Sequence, residues 1–446
     1  MHLLVIGGDA AGMSAASRAR RIDPQADITV LEKTTDVSYS ACGMPYNIAD
    51  PGREMDDLVV REAKVFREKH FIDLRLEHLV TRIDRDNKKV KGIKGKGEEF
   101  ELDYDKLVIA TGASPMVPDI PGITHEGVMP LKSLRDGREM KSYILANSAS
   151  SAVIIGMGYI AMEMAEALRD LNMHVAMVKP RPRVLPWLQE ELSEIVTKHL
   201  QDKGVELYPG YKIQEIQKTD QGLNVACEGI DLPCDFVLSA TGIVPNSQIA
   251  SDAGLILGPK NTVGVDRYLC TNDPDIYAAG DCSDAYHVVT GNKTWIPLAL
   301  WANRGGRAAA DNIYGKNLRM QGVAGTAVFK VFDLEVAKTG LSYSEAKEHG
   351  FDPVEVNIKS RSRAHNHPGA ETIQAGMLGD RSTGLLLGAQ MVGREGCAHR
   401  INAVAVALHY NMLVEDFWQT DLSYAPPFGP VWDPLLTAAN QLSKQL

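Results

Sequence analysis

Cys42 is the residue of this chain whose type and setting most directly allow chemistry. It lies in the run Ser38-Tyr39-Ser40-Ala41-Cys42-Gly43-Met44-Pro45-Tyr46. A thiolate at this position could attack a disulfide or persulfide sulfur. A Cys-x-x-x-x-Cys pair would carry its second sulfur at the position of Asn47, so Cys42 has no resolving partner nearby in sequence. The alternative is a packing role, because free cysteines are often small buried hydrophobic residues.

The N-terminal segment predicts a strand, a glycine turn and a helix. The apolar residues 2–6 lead into Gly7-Gly8-Asp9-Ala10-Ala11-Gly12, and helix-forming residues follow. Glycines at the first and last positions permit a tight turn and close packing, and the helix N-terminus offers amides to a pyrophosphate. Asp9 replaces the middle glycine of the usual pattern. A second strand, 27–31, ends in Glu32, at the spacing of a carboxylate that binds a ribose hydroxyl.

The same pattern recurs and predicts a second dinucleotide site. The strand 151–155 is followed by Gly156-Met157-Gly158-Tyr159-Ile160-Ala161 and a helical segment. The next strand, 174–178, ends in a basic loop with Lys179, Arg181 and Arg183 instead of an acid. Cationic side chains match a 2′-phosphate, which favours NADPH over NADH, although a solvated basic loop is the alternative.

Repeated phrases indicate how the two units are connected. Residues 108–112 and 238–242 both read as a strand that ends in Ala-Thr-Gly, and residues 276–281 read as a strand that ends in Ala-Ala-Gly-Asp. An acid beside glycine is suited to bonding a ribose or polyol hydroxyl. These segments predict a nucleotide domain, 113–242, inserted into a split first domain, 1–112 and 243–319.

Length and composition limit the class of protein. The 446 residues suggest about three domains, with 44% hydrophobic and 23% charged residues. A net charge of -10 argues against a general nucleic-acid or anionic-membrane surface. No signal peptide or membrane span is evident, so we expect a cytoplasmic protein. In that reducing compartment we expect no structural disulfides among the six cysteines, and the absence of a paired Cys-x-x-Cys unit argues against a zinc site.

Over nearly its whole length the chain resembles the flavin-dependent pyridine nucleotide-disulfide oxidoreductases. Within them it is similar to the single-cysteine branch of coenzyme A disulfide or persulfide reductases and NADH oxidases. The resemblance rests on the glycine turns, the Ala-Thr-Gly and Ala-Ala-Gly-Asp phrases, the Cys42 run, and Ser423-Tyr424-Ala425-Pro426-Pro427-Phe428. It implies an α/β fold with two Rossmann-like domains, an α+β dimerisation domain at 320–446, and a head-to-tail homodimer.

The resemblance also implies cofactors and the residues that hold them. FAD would occupy the first domain and NADPH, with NADH as the alternative, the inserted one. Tyr159 would gate the nicotinamide side of the flavin, Glu163 would lie beside the nicotinamide, and Asp281 would hold the ribityl chain. The cofactor-binding residues so implied are Gly7, Asp9, Ala10, Ala11, Gly12, Glu32, Lys33, Val80, Ala110, Thr111, Gly112, Gly156, Gly158, Tyr159, Ile160, Glu163, Lys179, Arg181, Arg183, Gly242, Asp281, Leu298 and Ala299.

The expected reaction passes electrons from NAD(P)H through FAD to Cys42. Its thiolate would attack a small disulfide, persulfide or polysulfide, and the small thiol would supply the second sulfur. This chemistry requires a lowered thiol pKa, to which a helix start after Gly43 could contribute. By resemblance, Arg18, Arg21 and Ser38 would contact coenzyme A, although both arginines could instead be exposed helix residues.

Two catalytic side chains are expected from the dimerisation domain. By resemblance, Tyr424, and with it Phe428, would reach the active site of the partner, where the phenol would protonate the departing thiolate. His367 stands where many relatives have tyrosine and could replace it as the acid, or could be a surface loop residue. Ala41 stands where coenzyme A disulfide reductases usually have asparagine, which leaves the identity of the small thiol open.

Two other functions are compatible with these motifs. One is an NAD(P)H oxidase or peroxidase in which Cys42 cycles through a sulfenic acid. Such relatives carry a histidine within the first glycine turn, where this chain has Ala10. The other is an NAD(P)H-responsive flavoprotein that binds or signals. The sequence does not separate coenzyme A disulfide, persulfide and polysulfide as acceptors.

Overall fold

The computed structural model describes residues 1–446 in 12 α-helices and 25 β-strands. None of the helices combines the length and the apolar composition that spanning a membrane requires. The helices are α1 Ala10–Ile22, α2 Met44–Ile48, α3 Ala63–His70, α4 Leu134–Ala146, α5 Tyr159–Asp170, α6 Glu190–Asp202, α7 Gln248–Asp252, α8 Ala299–Ile313, α9 Tyr343–Glu348, α10 Cys397–His409, α11 Val414–Trp418 and α12 Pro434–Ser443. The strands are β1 His2–Ile6, β2 Asp27–Leu31, β3 Asp73–Arg75, β4 His78–Asp84, β5 Lys89–Lys94, β6 Glu98–Asp103, β7 Lys106–Ile109, β8 Ala113–Pro115, β9 Val128–Pro130, β10 Ser151–Ile155, β11 His174–Lys179, β12 Val205–Pro209, β13 Ile213–Thr219, β14 Gly222–Cys227, β15 Ile230–Cys234, β16 Phe236–Ser239, β17 Ile243–Pro245, β18 Ile276–Ala278, β19 Ala285–Tyr286, β20 Lys293–Thr294, β21 Ala327–Val331, β22 Leu334–Gly340, β23 Pro353–Arg361, β24 Thr372–Asp380 and β25 Leu386–Gly393.

The first nucleotide unit is built on a parallel sheet with strand order β18-β7-β1-β2-β3. Its central strands are short runs of apolar residues that are buried on both faces, as parallel sheets require. Strand β18 comes from a segment more than 160 residues after β7, so the chain leaves this sheet and returns to it.

The second nucleotide unit repeats this arrangement in the intervening segment. Its parallel sheet has the order β12-β11-β10-β16-β9, with the strand before the glycine turn again at the centre. Strands β8 and β17 pair antiparallel where the chain enters and leaves this unit. The predicted α/β class with a second nucleotide fold is confirmed.

The C-terminal part forms an antiparallel sheet with the order β21-β22-β25-β24-β23. Helices α10 and α12 pack against this sheet through apolar residues such as Ile401, Val404 and Leu435. Strand β25 is buried along its whole length.

The repeated Ala-Thr-Gly phrases explain why each turn starts with glycine. A Cβ on Gly7 would lie 2.1 Å from the carbonyl oxygen of Ala110, and one on Gly156 would lie 2.2 Å from that of Ala240. Both glycines also have positive φ, at 113° and 127°, which side chains disfavour. The strand that follows in the sheet therefore crowds the turn, and only glycine fits in either unit.

Helices α1 and α8 pack equally closely in the first unit. A Cβ on Gly306 in α8 would lie 2.0 Å from the carbonyl oxygen of Ala11, whereas one on Gly305 would lie 3.5 Å from the Ala279 Cβ, an ordinary contact. The close contact of Gly306 with the α1 backbone fixes the position of α1, which starts at the first glycine turn.

Gly306→Ala should therefore destabilise the protein, by about 1–3 kcal/mol from overpacking. Gly305→Ala is the matched control in the same helix, and its midpoint should stay unchanged or rise because alanine is the better helix former. Thermal unfolding of both variants measures the difference. Equal midpoints for the two variants would contradict the close packing of α1 and α8.

Candidate active site

Cys42 lies at the junction of the two nucleotide units. It is exposed, in a single 3₁₀ turn, Ala41–Gly43, that leads directly into α2. Met44 and Ile48 of α2 belong to the same buried cluster as Leu134 of α4 and Met162 of α5. The chain around Cys42 thus precedes the second unit in sequence but packs on the helices of that unit, with its thiol accessible.

Asn47, at the position of a resolving cysteine, has a structural role. Its side chain is fully buried, donates to the Glu54 carbonyl oxygen at 2.8 Å, and accepts from Lys141 Nζ at 3.2 Å. Lys141 also donates to the carbonyl oxygens of Asn47 and Asp50. This lysine from α4 anchors the C-terminal end of α2. All six cysteines are free, so the structure gives Cys42 no internal partner.

The expected lowering of the Cys42 pKa is wrong for the protein by itself. Burial raises the pKa of this thiol, Glu163 raises it further, and Lys132 opposes the shift. Helix α2, which follows the thiol, is only five residues long. A charge that favours the thiolate must therefore come from outside the chain or from the loss of a negative neighbour.

The first glycine turn has the groups that a dinucleotide pyrophosphate needs. Helix α1 starts at Ala10, and the Asp9 side chain forms no capping hydrogen bond, so the first-turn amides are free to bind an anion. Glu32, at the end of β2, is buried and accepts from the amides of Gly8 and Thr34 at 2.7 and 2.8 Å. Its carboxylate is thereby fixed beside the turn.

The other residues expected around FAD lie near this turn or close to the same edge of the sheet. Lys33 follows β2, the residues Ala110, Thr111 and Gly112 follow β7, and Asp281 follows β18. Leu298 and Ala299 form the start of α8, where again no side chain caps the helix. Val80 is buried in β4. The residues present suit FAD, and their individual contacts to it remain predictions.

The second glycine turn also begins a helix without a side-chain cap. Gly158 is the N-cap of α5, and Ile160 and Glu163 lie in its first turns. Gly242 follows β16, beside the crossing strands. Tyr159 packs at centroid distances of 5.5 Å from Trp187 and 5.0 Å from Phe329, so the expected gate rests on an aromatic cluster shared with the C-terminal domain.

The basic side chains of the loop after β11 differ in burial and in hydrogen bonding to the rest of the protein. Lys179 is buried at the end of the strand. Arg183 donates to the Leu188 carbonyl oxygen at 2.8 Å, and Arg181 is exposed. Of the three basic residues, Arg181 is therefore the most accessible to a 2′-phosphate.

Lys132 is a site residue that the sequence analysis missed. It lies between β9 and α4, and its Nζ is 3.2 Å from Asp281 Oδ2. Its charge also acts on Asp9 and Cys42. No motif surrounds it, and the only signal is its position just before the capping box of Ser133 and Asp136, which starts α4.

A basic cluster lies beside the segment that leads to Cys42. Arg21, Arg61 and Arg307 are exposed and lie near one another, and burial and then the charges of Arg307, Arg18 and Arg61 lower the pKa of Arg21. None of these three forms a salt bridge. Arg18, by contrast, pairs with the buried Asp311 at 2.8 Å.

The basic cluster is connected to the redox segment through the backbone. The Arg61 amide donates to the Ser38 carbonyl oxygen at 3.4 Å, and Val60 does so at 2.8 Å. Ser38 itself adopts a positive φ of 49°, which turns the chain toward Cys42. Of the residues expected to contact coenzyme A, Ser38 is thus bonded to the segment that carries Arg61 of the basic cluster.

Two segments of the C-terminal domain hold the remaining expected side chains. Tyr424 and Phe428 are 49% and 78% exposed on a loop without regular structure. The Ala364 amide donates to the Pro426 carbonyl oxygen at 3.0 Å, which brings the His367 loop against this loop. The His367 Nδ1 lies 3.0 Å from the Pro368 carbonyl oxygen.

These features define an oxidoreductase with two dinucleotide folds and an accessible thiol between them. The family model for pyridine nucleotide-disulphide oxidoreductases matches residues 1–306, and the model for the dimerisation domain of the same family matches residues 326–434. The chain belongs to this family, which uses FAD and NAD(P)H. No group of three or more His, Cys, Asp or Glu side chains is arranged to hold a metal ion.

Similar proteins cover the whole chain. It is 37% identical over 441 residues to an NAD(P)H sulfur oxidoreductase (CoA-dependent) of Pyrococcus furiosus, covering 99% of this chain and 98% of that protein. It is 34% identical over 447 residues to an NADH oxidase of Methanocaldococcus jannaschii, covering 100% and 99%. The structure of an NAD-dependent persulfide reductase from A. fulgidus matches with a TM-score of 0.96 at 40% identity, covering 100% of this chain and 83% of that one.

Asp9 should make FAD binding depend on pH. Burial raises the pKa of this carboxyl to about 6. Below this pH Asp9 is neutral, and above it a carboxylate at the predicted FAD site would repel the pyrophosphate. FAD affinity of the apoprotein should therefore fall by roughly tenfold between about pH 6 and pH 8.

Titration of apoprotein with FAD at several pH values tests this dependence. Asp9→Asn should flatten the profile, while Asp23→Asn at the far end of α1 should leave it as in the wild type. A wild-type affinity that does not change across this range would contradict the placement of Asp9 against the pyrophosphate.

Proposed function

We propose that this protein passes electrons from NAD(P)H through FAD to Cys42, which reduces a low-molecular-weight disulfide, persulfide or polysulfide of coenzyme A. The observation that carries the proposal is the position of Cys42: an exposed thiol without an internal partner, between two dinucleotide turns. A thiol in this setting must exchange with a sulfur that arrives from solution.

FAD, when bound, supplies the two-electron relay between nucleotide and thiol. We propose that the first glycine turn, Glu32, Asp281 and Lys132 hold it, since they supply free amides, a fixed carboxylate and a cation at one edge of the sheet. The exposed Arg181 supports NADPH as the preferred donor, with NADH as the alternative.

The sulfur chemistry follows from a single thiolate. Cys42 Sγ attacks one sulfur of the substrate, the substrate S–S bond breaks, and a new S–S bond joins Cys42 to one half. The other half leaves as a thiolate and takes up a proton. Two electrons from NAD(P)H then cleave the mixed disulfide and restore the Cys42 thiolate, and the second half leaves as a thiol.

The basic cluster supports coenzyme A as the small thiol. Coenzyme A carries a pyrophosphate and a 3′-phosphate at one end of a long arm and its thiol at the other. Arg21, Arg61 and Arg307 offer guanidinium groups without internal partners, which suit phosphate recognition. We propose them with Ser38 as the phosphate-binding surface. Arg18, also expected there, would contribute while paired with Asp311.

The dimerisation domain supports a homodimer in which each subunit completes the site of the other. We propose that Tyr424 and Phe428 of one subunit approach Cys42 of the other, and that Tyr424 protonates the departing thiolate. His367, whose loop is bonded to the Tyr424 loop, is the alternative acid. The division into 1–112, 113–242, 243–319 and 320–446 belongs to this proposal, as does a cytoplasmic location, where a free thiol persists.

Oxygen or peroxide reduction is the second candidate function, favoured by the similarity to an NADH oxidase. It would require Cys42 to form a sulfenic acid. Ala10, at the start of α1, provides no proton donor for that chemistry. We therefore rank it below reduction of a coenzyme A derivative.

Cys42→Ser tests the proposed function directly. Anaerobic NADPH oxidation should be followed with coenzyme A disulfide, coenzyme A persulfide, polysulfide and, as a separate aerobic arm, oxygen. The variant should lose about 10³-fold or more of its sulfur-acceptor activity, as expected for a lost nucleophile, and should keep its FAD. Cys270→Ser is the control. Retained disulfide reduction by Cys42→Ser would refute the assignment.

Arg21→Ala tests the substrate surface. Loss of one charge-assisted hydrogen bond to phosphate should raise KM for coenzyme A disulfide by about tenfold. KM for the disulfide of pantetheine, which lacks the nucleotide phosphates, should stay unchanged. Arg135→Ala, an exposed helix arginine elsewhere, is the control. An equal rise in KM for both disulfides would contradict phosphate recognition at Arg21.

A further inference from the structure

Tyr46 and Glu163 form a hydrogen-bonded pair close to the redox thiol. Tyr46 lies in α2, one helical turn after Cys42, and Glu163 lies in α5, one turn after Tyr159. The Tyr46 hydroxyl donates to Glu163 Oε1 at 3.0 Å. This hydrogen bond joins the redox segment to the first helix of the second nucleotide unit.

Burial raises the pKa of both groups, but their shared hydrogen bond raises the pKa of Tyr46 and lowers that of Glu163. Burial raises the pKa of the Glu163 carboxyl, the hydrogen bond from Tyr46 lowers it, and Glu166 raises it. Burial and then Glu163 raise the pKa of the Tyr46 phenol, which therefore stays protonated and acts as the donor. The ionisation of Glu163 thus depends on a bond that only an intact phenol can provide.

Four charged groups act on Cys42 from the surrounding elements. Glu163 from α5 has the largest effect, Lys132 from the β9–α4 connection opposes it, and Asp281 after β18 and Asp9 from the first turn add smaller negative contributions. The charge state of Glu163 is therefore the strongest single electrostatic control on the thiol.

We propose that Tyr46 is a positioning residue whose hydrogen bond keeps the Glu163 carboxylate ionised beside Cys42, and that this charge holds Cys42 as a thiol until it is offset. The inference rests on the proposed function, because it assigns control of thiolate formation to residues around the proposed nucleophile. It adds Tyr46, which the motif analysis left without a role.

Thiolate formation can be measured without turnover. The reduced, FAD-loaded protein is alkylated with iodoacetamide under anaerobic conditions across a range of pH, and the Cys42 peptide is quantified by mass spectrometry. Only the thiolate reacts, so the rate follows the thiolate fraction. Cys42→Ser provides the background from the other five cysteines.

Glu163→Gln should be alkylated about tenfold faster than the wild type at about pH 7, because after burial the Glu163 carboxylate raises the pKa of Cys42, and its removal favours the thiolate. Tyr46→Phe should approach Glu163→Gln at the acidic end of the range, because loss of the hydrogen bond from Tyr46 raises the pKa of Glu163 further, and should converge on the wild type at the alkaline end, where Glu163 is charged in both. A merely structural defect would not produce this crossover.

Tyr410→Phe, an exposed tyrosine elsewhere, is the control and should follow the wild type throughout. Alkylation of Glu163→Gln at the wild-type rate at every pH would overturn the proposed effect of Glu163. A Tyr46→Phe profile that is identical to the wild type would overturn the role of Tyr46. Neither result depends on catalysis, so failure here is distinguishable from failure of the proposed function, which the Cys42→Ser assay decides.

Discussion

The packing of α2 on α4 and α5 is the contact on which the site depends. Met44 and Ile48 enter the apolar core of the second nucleotide unit, and Lys141 anchors the end of α2. Because the segment around Cys42 belongs to the first unit in sequence and is held by the second, the thiol lies at their junction. Electron transfer to the sulfur requires the thiol, the flavin and the nucleotide to lie close together at this junction. The packing of α2 fixes the position of the thiol there.

Close packing shapes the two glycine turns around that junction, and charged groups act across it. The alanine carbonyls at positions 110 and 240 crowd Gly7 and Gly156, which forces each turn into the shape that frees helix amides for phosphates. Charged groups then act across the units: Lys132 of one faces Asp281 of the other, and Glu163 faces Cys42. The chain alone disfavours the thiolate, so the charge that permits it must arrive with ligands or with proton uptake.

The fold and the nucleotide turns were predictable because glycine patterns and short apolar strands have local causes. The two Ala-Thr-Gly phrases were visible in sequence, but their purpose, crowding the first glycine, required the sheet order. Lys132 and Lys141 could not be predicted, since neither belongs to a motif and both act on residues far away in sequence. The expected lowering of the Cys42 pKa was wrong because it considered the short helix after the thiol and omitted burial and then Glu163, which is more than a hundred residues away.

The most direct test of the account is the chemical state of Cys42 in the oxidised protein. With Asn47 buried in place of a second cysteine, the proposed function requires the oxidised thiol to be bonded to a small thiol, whereas the oxidase alternative would leave a sulfenic acid. Intact mass spectrometry of protein treated anaerobically with coenzyme A disulfide should find one added coenzyme A, at Cys42, that NADPH removes completely. Protein that turns over this substrate without ever carrying the adduct, or that carries it on another cysteine, would contradict the account.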